Sequence, residues 1–443
     1  MGRYTADTVA RIAAYTGEPD WMAERRHEAL ERFTALPWPD QSIEEWRHTD
    51  LRSLDIEAFD PFPEPLAAVD ALEALPDAVR HVAIGDKGDR SALGVRVDNY
   101  LVHLRAAKSL ADKGVILDQA HRVAAEHRDL VESYLGRAGY SDYEAKLVAM
   151  NGAFSTGRTF CYVPPGVEVA LPLDVVRWID RPGIAIFPHL VLVAGEGSSV
   201  TYVDHFAGAE LPGPSFVAPV VEIYAEQAAT VNYLGIQDWP AQVTHLGSLR
   251  AVVERDATVR TLAATFGGGL SRSVAQAVLE GRGAHAELLG IYFGDGDQHI
   301  DNRTLQLHRG PDTSSEVYYK GALKDHSRAV YSGLVDLEKE GVGADARQLN
   351  RNILLSEGAS ADANPFLEIK TSEVVRATHG VSVGRPNAET LFYLASRGLD
   401  PAEAERVFVT GFFQELIDRV HVPEIRERLE AAVVEELEAR DGA

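Results

Sequence analysis

Between Thr159 and Val383 the sequence breaks into short runs rich in Val, Ile, Leu, Tyr and Thr. They include Phe160–Val163, Leu190–Val193, Ser199–Val203, Val220–Tyr224, Thr230–Leu234, Thr258–Ala263, Glu287–Tyr292, Glu316–Lys320 and Ala329–Leu334. Gly, Asp, Asn or Pro punctuates nearly every gap, and the runs often follow one another at roughly ten-residue intervals. Segments this short and this β-branched are strands, and they are too numerous for an ordinary sandwich. A large jelly roll and a solenoid both accommodate them. No hexapeptide or nonapeptide repeat chooses between the two.

The flanks differ. From Thr5 to about Gly152 the pattern is mostly helical: Trp21, Met22, Ala29, Leu30 and Phe33 recur at helix spacing until Pro37, and Asp118–Leu135 forms a second such stretch. Between them Asp60–Pro65 reads as an extended linker and His81–Ile84 as a short strand. After Pro386 the helical pattern returns. Asp400 can cap a helix whose first turn holds Pro401, and Ala404, Val407, Phe408, Gly411, Phe412 and Leu416 follow as one stripe. Val409 and Phe413 widen that stripe into an arc needing cover on more than one side, either from a small bundle or from a second subunit. The expected divisions are 1–150, 151–385 and 386–443.

Charge and cysteine content exclude several functions. Lys and Arg number 43 against 67 Asp and Glu, a net charge of −24, which repels phosphate backbones and argues against nucleic acid as a partner. The start lacks a basic segment followed by an apolar run, and no stretch is apolar enough to span a membrane, so a cytoplasmic protein is expected. No phosphate-binding loop, Cys-x-x-Cys, His-Glu-x-x-His or Gly-x-Ser-x-Gly motif is present, which points away from an autonomous enzyme. Gly267-Gly268-Gly269 lacks the lysine of a phosphate loop and reads as a tight turn.

Cys161 is the only cysteine; it lies in a strand-like apolar run and reads as a core residue. One thiol cannot assemble a thiolate-held cluster. Among the histidines, His299 and His308 read as polar residues on outer strand faces, and His245 and His326 carry still less signal. His379 stands apart, in Arg376-Ala-Thr-His-Gly-Val-Ser-Val-Gly384, directly after the last strand-like segment and before the helical tail. That is an end of the β-region, where an open edge can meet another chain. By residue type alone it is either a turn residue or a ligand.

An ordered set of short motifs resembles the SufB/SufD family of the SUF iron–sulfur cluster assembly system, and within it the SufD branch. The set runs from Glu45-Trp-Arg-His-Thr-Asp-Leu51 through Asn151-Gly-Ala-Phe154, Tyr162-Val-Pro164, Gln348-Leu-Asn350 and Asn364-Pro-Phe-Leu-Glu-Ile369. It continues through Thr378-His-Gly380, Leu391-Phe-Tyr-Leu394, Ser396-Arg-Gly398 and Gly411-Phe412. It spans almost the whole chain.

The resemblance implies a mainly β fold: a right-handed parallel β-helix core flanked by helical N-terminal and C-terminal regions. It implies a complex with a SufB-like paralogue, joined through β-helix ends, and with a SufC-like ABC-type ATPase docked on the C-terminal helices, matching the arc of Val409, Phe412 and Phe413. His379 matches the SufD histidine, an iron or nascent-cluster ligand at the partner interface. Some relatives carry a cysteine two residues before it, where this chain has Ala377. Iron or a nascent iron–sulfur cluster is then a transient passenger of the complex, and no tightly bound cofactor is expected on the isolated chain. Two other readings are a β-helix polysaccharide-active enzyme and a purely structural homodimer.

Overall fold

The computed structural model describes residues 2–84, 89–140, 142–420 and 423–441. Its core is a parallel β-solenoid of about eight turns, each adding one strand to each of two facing sheets. One sheet runs from Leu173–Ile179 through Ser199–Gly208, Thr230–Asp238, Thr258–Thr265, His285–Gly294, Ser314–Leu323 and Ala344–Leu354 to Val374–Gly384. The other runs from Arg158–Val163 through His189–Ala194, Val220–Ala225, Val243–Val253, Leu270–Leu279, His299–His308 and Arg328–Leu337 to Ser360–Ile369. This is the β-helix that the resemblance implied.

The turns explain why no short repeat is visible. At one corner the chain reverses through a residue with left-handed backbone: Gly197, Ala228, Asp256, Gly283, Asp312 and Gly343, spaced 27 to 31 residues apart. Gly, Asp and Ala share this position, so the repeat is one of conformation rather than identity. Gly267 follows a different rule. A Cβ there would collide with the backbone of Trp239, and the neighbouring Gly268 has φ +83°, so the triple glycine is a tight turn in which side chains have no room.

Strand alternation places Cys161, Leu192, Ile223, Ala251, Ala277 and Val335 in one column inside the solenoid. These side chains are shut off from solvent. Helices cover both outer faces. Trp21, Met22, Val123 and Val131 pack on Phe160, Val191 and Tyr224 of the second sheet. On the first sheet, Leu234, Leu262, Leu289 and Tyr318 receive Val409, Phe413, Leu416 and Leu429 from the C-terminal helices. The second of those helices, Pro401–Ile417, begins with a full capping box between Asp400, the cap that the sequence marked, and Glu403.

Three local expectations change. His81–Ile84 belongs to a helix, Asp77–Ile84, because Val79 and Ala83, four residues apart, both bury against Leu93 and Val176. The stretch Asp118–Leu135 is a strand end followed by two helices, Ala120–Glu126 and Arg128–Tyr134, broken where His127 takes φ −132° and ψ 56°. The first 150 residues also contribute strands. Ala92–Val97 joins the first sheet beside Leu173–Ile179, and Tyr100–Ala106 and Ile116–Gln119 pair antiparallel at the ends of the two sheets. The N-terminal end of the solenoid is therefore closed by reversed strands.

Candidate functional site

The other end is open. Val374–Gly384 and Ser360–Ile369 are the last strands of the two sheets, and among the described residues no strand pairs with their outer edges. His379 lies inside the last strand, not after it as the sequence suggested. Its register partner is Gln348, and side chains paired across parallel strands share a face.

That face is the interior. Gln348 is buried and its Nε2 donates to the Tyr331 hydroxyl at 3.0 Å, which in turn meets Thr304 Oγ1 at 2.8 Å. Beside it Asn350 Nδ2 donates to the Tyr292 hydroxyl at 3.0 Å, and Asn352 Nδ2 to Asn350 Oδ1 at 2.7 Å. Continuing these columns by one rung brings His379 over Gln348, Val381 over Asn350 and Val383 over Asn352. The imidazole thus stands at the mouth of the solenoid, above a polar network and exposed to solvent. Directly beneath it, Gln348 Oε1 is buried and has no hydrogen-bond partner. Ala377, two residues back, faces the same interior and joins a small apolar cluster with Ala346 and Val335. It offers no ligand atom.

The mouth is apolar on its surface and charged at its sides. Val381, Val383, Phe366 and Ile369 are exposed there, and Val375, the extra residue at a bulge in the last strand, is 71% exposed. Ion pairs flank it: Arg376 with Asp345 at 2.9 Å, Arg328 with Asp362 at 2.8 Å and Lys370 with Asp336 at 2.8 Å. An unpaired, twisted, apolar edge of this kind is a template for another chain. One imidazole supplies one donor to a metal, and the described residues contain no cluster of three or more His, Cys, Asp or Glu suited to a metal ion. A metal bound at this mouth would need further ligands from a second molecule.

The remaining candidates separate cleanly. Cys161 is fully buried, and burial pushes its thiol up to about 12, so the reactive thiolate is disfavoured. It sits seven rungs from Leu367 of the terminal strand, roughly 34 Å away at the usual strand spacing. His308 does not lie on an outer face. It points inward, with Nδ1 2.7 Å from Thr313 Oγ1 and Nε2 2.7 Å from Ser315 Oγ, and burial lowers its pKa to about 4. His245 is likewise interior and accepts from the Trp239 indole at 3.1 Å.

The arc on Pro401–Ile417 faces the chain's own first sheet. Val409 and Phe413 are wholly buried there, and Phe412 is partly buried against the same cluster. Lys320, itself buried, reaches up from the sheet to Glu415 Oε2 and the Phe412 carbonyl, each at 2.6 Å. Val409 and Phe413 therefore cannot form an outward docking surface while the helices stay seated. Among the described residues, the exposed large apolar side chains of this region are Phe392, Tyr393, Val407 and Val434, with Phe392 76% exposed. Sequence periodicity measured the width of the arc but could not say which part the sheet covers.

The motif Glu45–Leu51 has a structural role. Trp46 is buried, its indole donates to the Tyr143 carbonyl at 3.0 Å, and the Arg272 guanidinium lies 3.7 Å from its ring centre. Thr49 Oγ1 donates to Asp301 Oδ2 at 2.6 Å. The segment is pinned to the second sheet.

Comparison with known proteins matches residues 177–412 to a family described as SUF system FeS cluster assembly, SufBD core domain, and residues 87–175 to the SufBD protein N-terminal region. The chain is 30% identical to the iron–sulfur cluster assembly protein SufD of Bacillus subtilis, over 94% of each chain. It is 34% identical to an iron–sulfur cluster assembly SufBD family protein of Mycobacterium leprae, over 75% of this chain and 87% of the relative. A SufBD family protein of Mycobacterium tuberculosis is 38% identical over 65% of this chain and 73% of its own length.

Proposed function

Given that the chain belongs to the SufBD family of SUF-system iron–sulfur cluster assembly proteins, we propose that it is a SufD-type scaffold subunit. Its open solenoid mouth pairs with a SufB-like paralogue, and His379 faces the iron or nascent cluster formed between them. The observation that carries this reading is the placement of His379: among the described residues it is the one imidazole aligned with the interior columns at the uncapped end, ringed by exposed apolar residues. The paralogue supplies thiolates, because the sole cysteine here is buried seven rungs away.

The C-terminal helices dock a SufC-like ATPase through the exposed side of Phe392, Tyr393 and Val407, while Val409 and Phe413 anchor the helices to the solenoid. ATP hydrolysis belongs to that partner, and this subunit acts as scaffold rather than enzyme. Iron and sulfide are cargo, the isolated chain holds no resident cofactor, and assembly takes place in the cytoplasm. Without a paralogue the same apolar mouth supports a homodimer of this chain, since edge strands pair readily with copies of themselves.

The test is His379→Ala, co-expressed with SufB-like and SufC-like partners. The side chain is exposed, so folding and complex recovery stay within about 0.5 kcal/mol of wild type, while cluster content of the purified complex falls. Unchanged cluster content in an intact complex would remove His379 from the site, and failure to recover either partner with the wild-type chain would remove the scaffold reading.

A further inference from the structure

A cavity of about 560 Å³ lies on the opposite flank of the molecule from the C-terminal helices, among the helices Asp20–Ala35 and Ala145–Phe154, the segment after Arg128–Tyr134 and the second sheet. Its volume falls in the range of small-molecule sites. The buried part is lined by Arg158, His189 and Glu222, and the outer part by Arg25, Arg32 and Arg137 together with the carboxylates of Glu28 and Glu132, of which Glu132 lies 3.9 Å from Arg25.

Arg158 is 94% buried, yet among the described residues it makes one hydrogen bond, to the Gly152 carbonyl, its Nε has no partner and no carboxylate is within ion-pairing reach. Arg26, close enough to act on Arg158 electrostatically, shows how this fold satisfies a buried guanidinium. It holds Glu18 through Nε and a terminal nitrogen at 2.8 and 2.7 Å and also donates to the carbonyls of Ala153 and Ser155. A buried cation left without a counter-charge is costly, and the cost is relieved by an anion.

Glu222 is not that anion. Its carboxylate already receives His189 Nε2 at 2.8 Å, the Tyr224 hydroxyl at 2.6 Å and the Gly136 and Ala138 backbone N–H groups at 3.1 and 3.4 Å. Burial alone would raise its pKa, but these donors outweigh it and keep the group ionised. Burial holds His189 below its ordinary range, so the ring is neutral. With Nε2–H given to Glu222, Nδ1 is a buried acceptor with no partner.

We propose that this cavity binds a small molecule carrying an oxyanion, phosphate or carboxylate, seated on Arg158, with a hydroxyl of the same molecule donating to His189 Nδ1. Arg32 and Arg137 draw the anion in against the chain's overall negative charge. The cation at the floor and the acceptor beside it are complementary to that combination and to nothing that the described residues supply.

The test is calorimetric titration of the full chain with inorganic phosphate, pyrophosphate and citrate, the first two separating phosphate from carboxylate recognition by the third. Saturable binding of at least one probe is expected. Arg158→Gln lowers its affinity roughly tenfold or more, the loss typical of a charged hydrogen-bonding partner, and the exposed Arg137→Glu lowers it several-fold without disturbing the fold. Absence of saturable binding by all three probes overturns the proposal. So does wild-type affinity in R158Q or, where that variant does not fold, in R137E.

Discussion

Replacing Phe413 by Ala separates the two roles a C-terminal apolar arc can have. Phe413 is fully buried between the helix Pro401–Ile417 and the first sheet, with the Phe412 ring 5.3 Å away and Val409, Leu416 and Leu289 in the same cluster. Truncating a buried Phe loses its transfer free energy and leaves a cavity, about 3–5 kcal/mol in total. Val409→Ala removes two carbons, about 1.6 kcal/mol of transfer plus a smaller cavity term. Val407, half exposed on the same helix, should change stability by less than about 0.5 kcal/mol.

The loss is local, because the helices are a separate layer on a solenoid whose own turns remain stacked. The appropriate assay is amide hydrogen exchange of residues 401–417, where 3 kcal/mol corresponds to roughly a hundredfold loss of protection. Phe413→Ala should release that helix, Val409→Ala should loosen it, and Val407→Ala should leave its exchange unchanged. Wild-type protection in F413A would refute the packing argument. It would mean that the side chain spends its time outside the cluster, available to a partner.

Acid should weaken the fold through its interior histidines. Burial depresses the His308 pKa to about 4 from 6.5, so as pH falls the unfolded chain takes up the proton first. The stability is present above 6.5 and is lost between 6.5 and 4, by up to about 3 kcal/mol for this one group. His308→Gln should flatten the pH dependence of chemical denaturation over that interval, leaving the slope from His245 and His121; an unaltered slope would contradict it. Asp204→Asn should cost about 3–5 kcal/mol in thermal unfolding, because it strips the counter-charge from the buried Arg177, whose Nε lies 2.7 Å from Asp204 Oδ1. A near-neutral result would show that the guanidinium does not depend on that carboxylate.

Much of the β-region was legible because its strands carry β-branched and aromatic side chains and its gaps carry turn residues. The runs Leu190–Val193 and Thr230–Leu234 lie in strands close to where they read. Ala344–Leu354 escaped because its interior face holds Gln348, Asn350 and Asn352, polar residues whose hydrogen bonds form only when they stack against Tyr331 and Tyr292 of neighbouring turns. A side-chain ladder is a property of neighbouring turns, and no single segment displays it. The solenoid repeat was hidden for a related reason: its left-handed corner accepts Gly, Asp or Ala and tolerates turns of unequal length.

The site was legible only in part. His379 stood out through its motif and position, but residue type could not show that register with Gln348 puts it over the interior. Val409 and Phe413 were found as an apolar arc open to cover by a bundle or by a second subunit, since amphipathicity gives a face without naming its neighbour, and the chain's own sheet supplies that cover. The cavity over Arg158 had no linear signature, because its walls come from five separated stretches, 25–32, 132–140, 145–158, 189 and 220–222.

Closure by antiparallel strands at one end and exposure at the other make the solenoid a spacer of quantised length. Each turn advances the axis by about 4.8 Å. The reach from the reversed strands of the closed end to the rung bearing His379 can therefore change only in whole steps. Gain or loss of a turn would carry the terminal rung along the axis while preserving the pattern of inward and outward side chains upon it. Two chains of this architecture could drift in length and still present mating faces, whereas a slip of one residue within the last strand would turn His379 away from the opening.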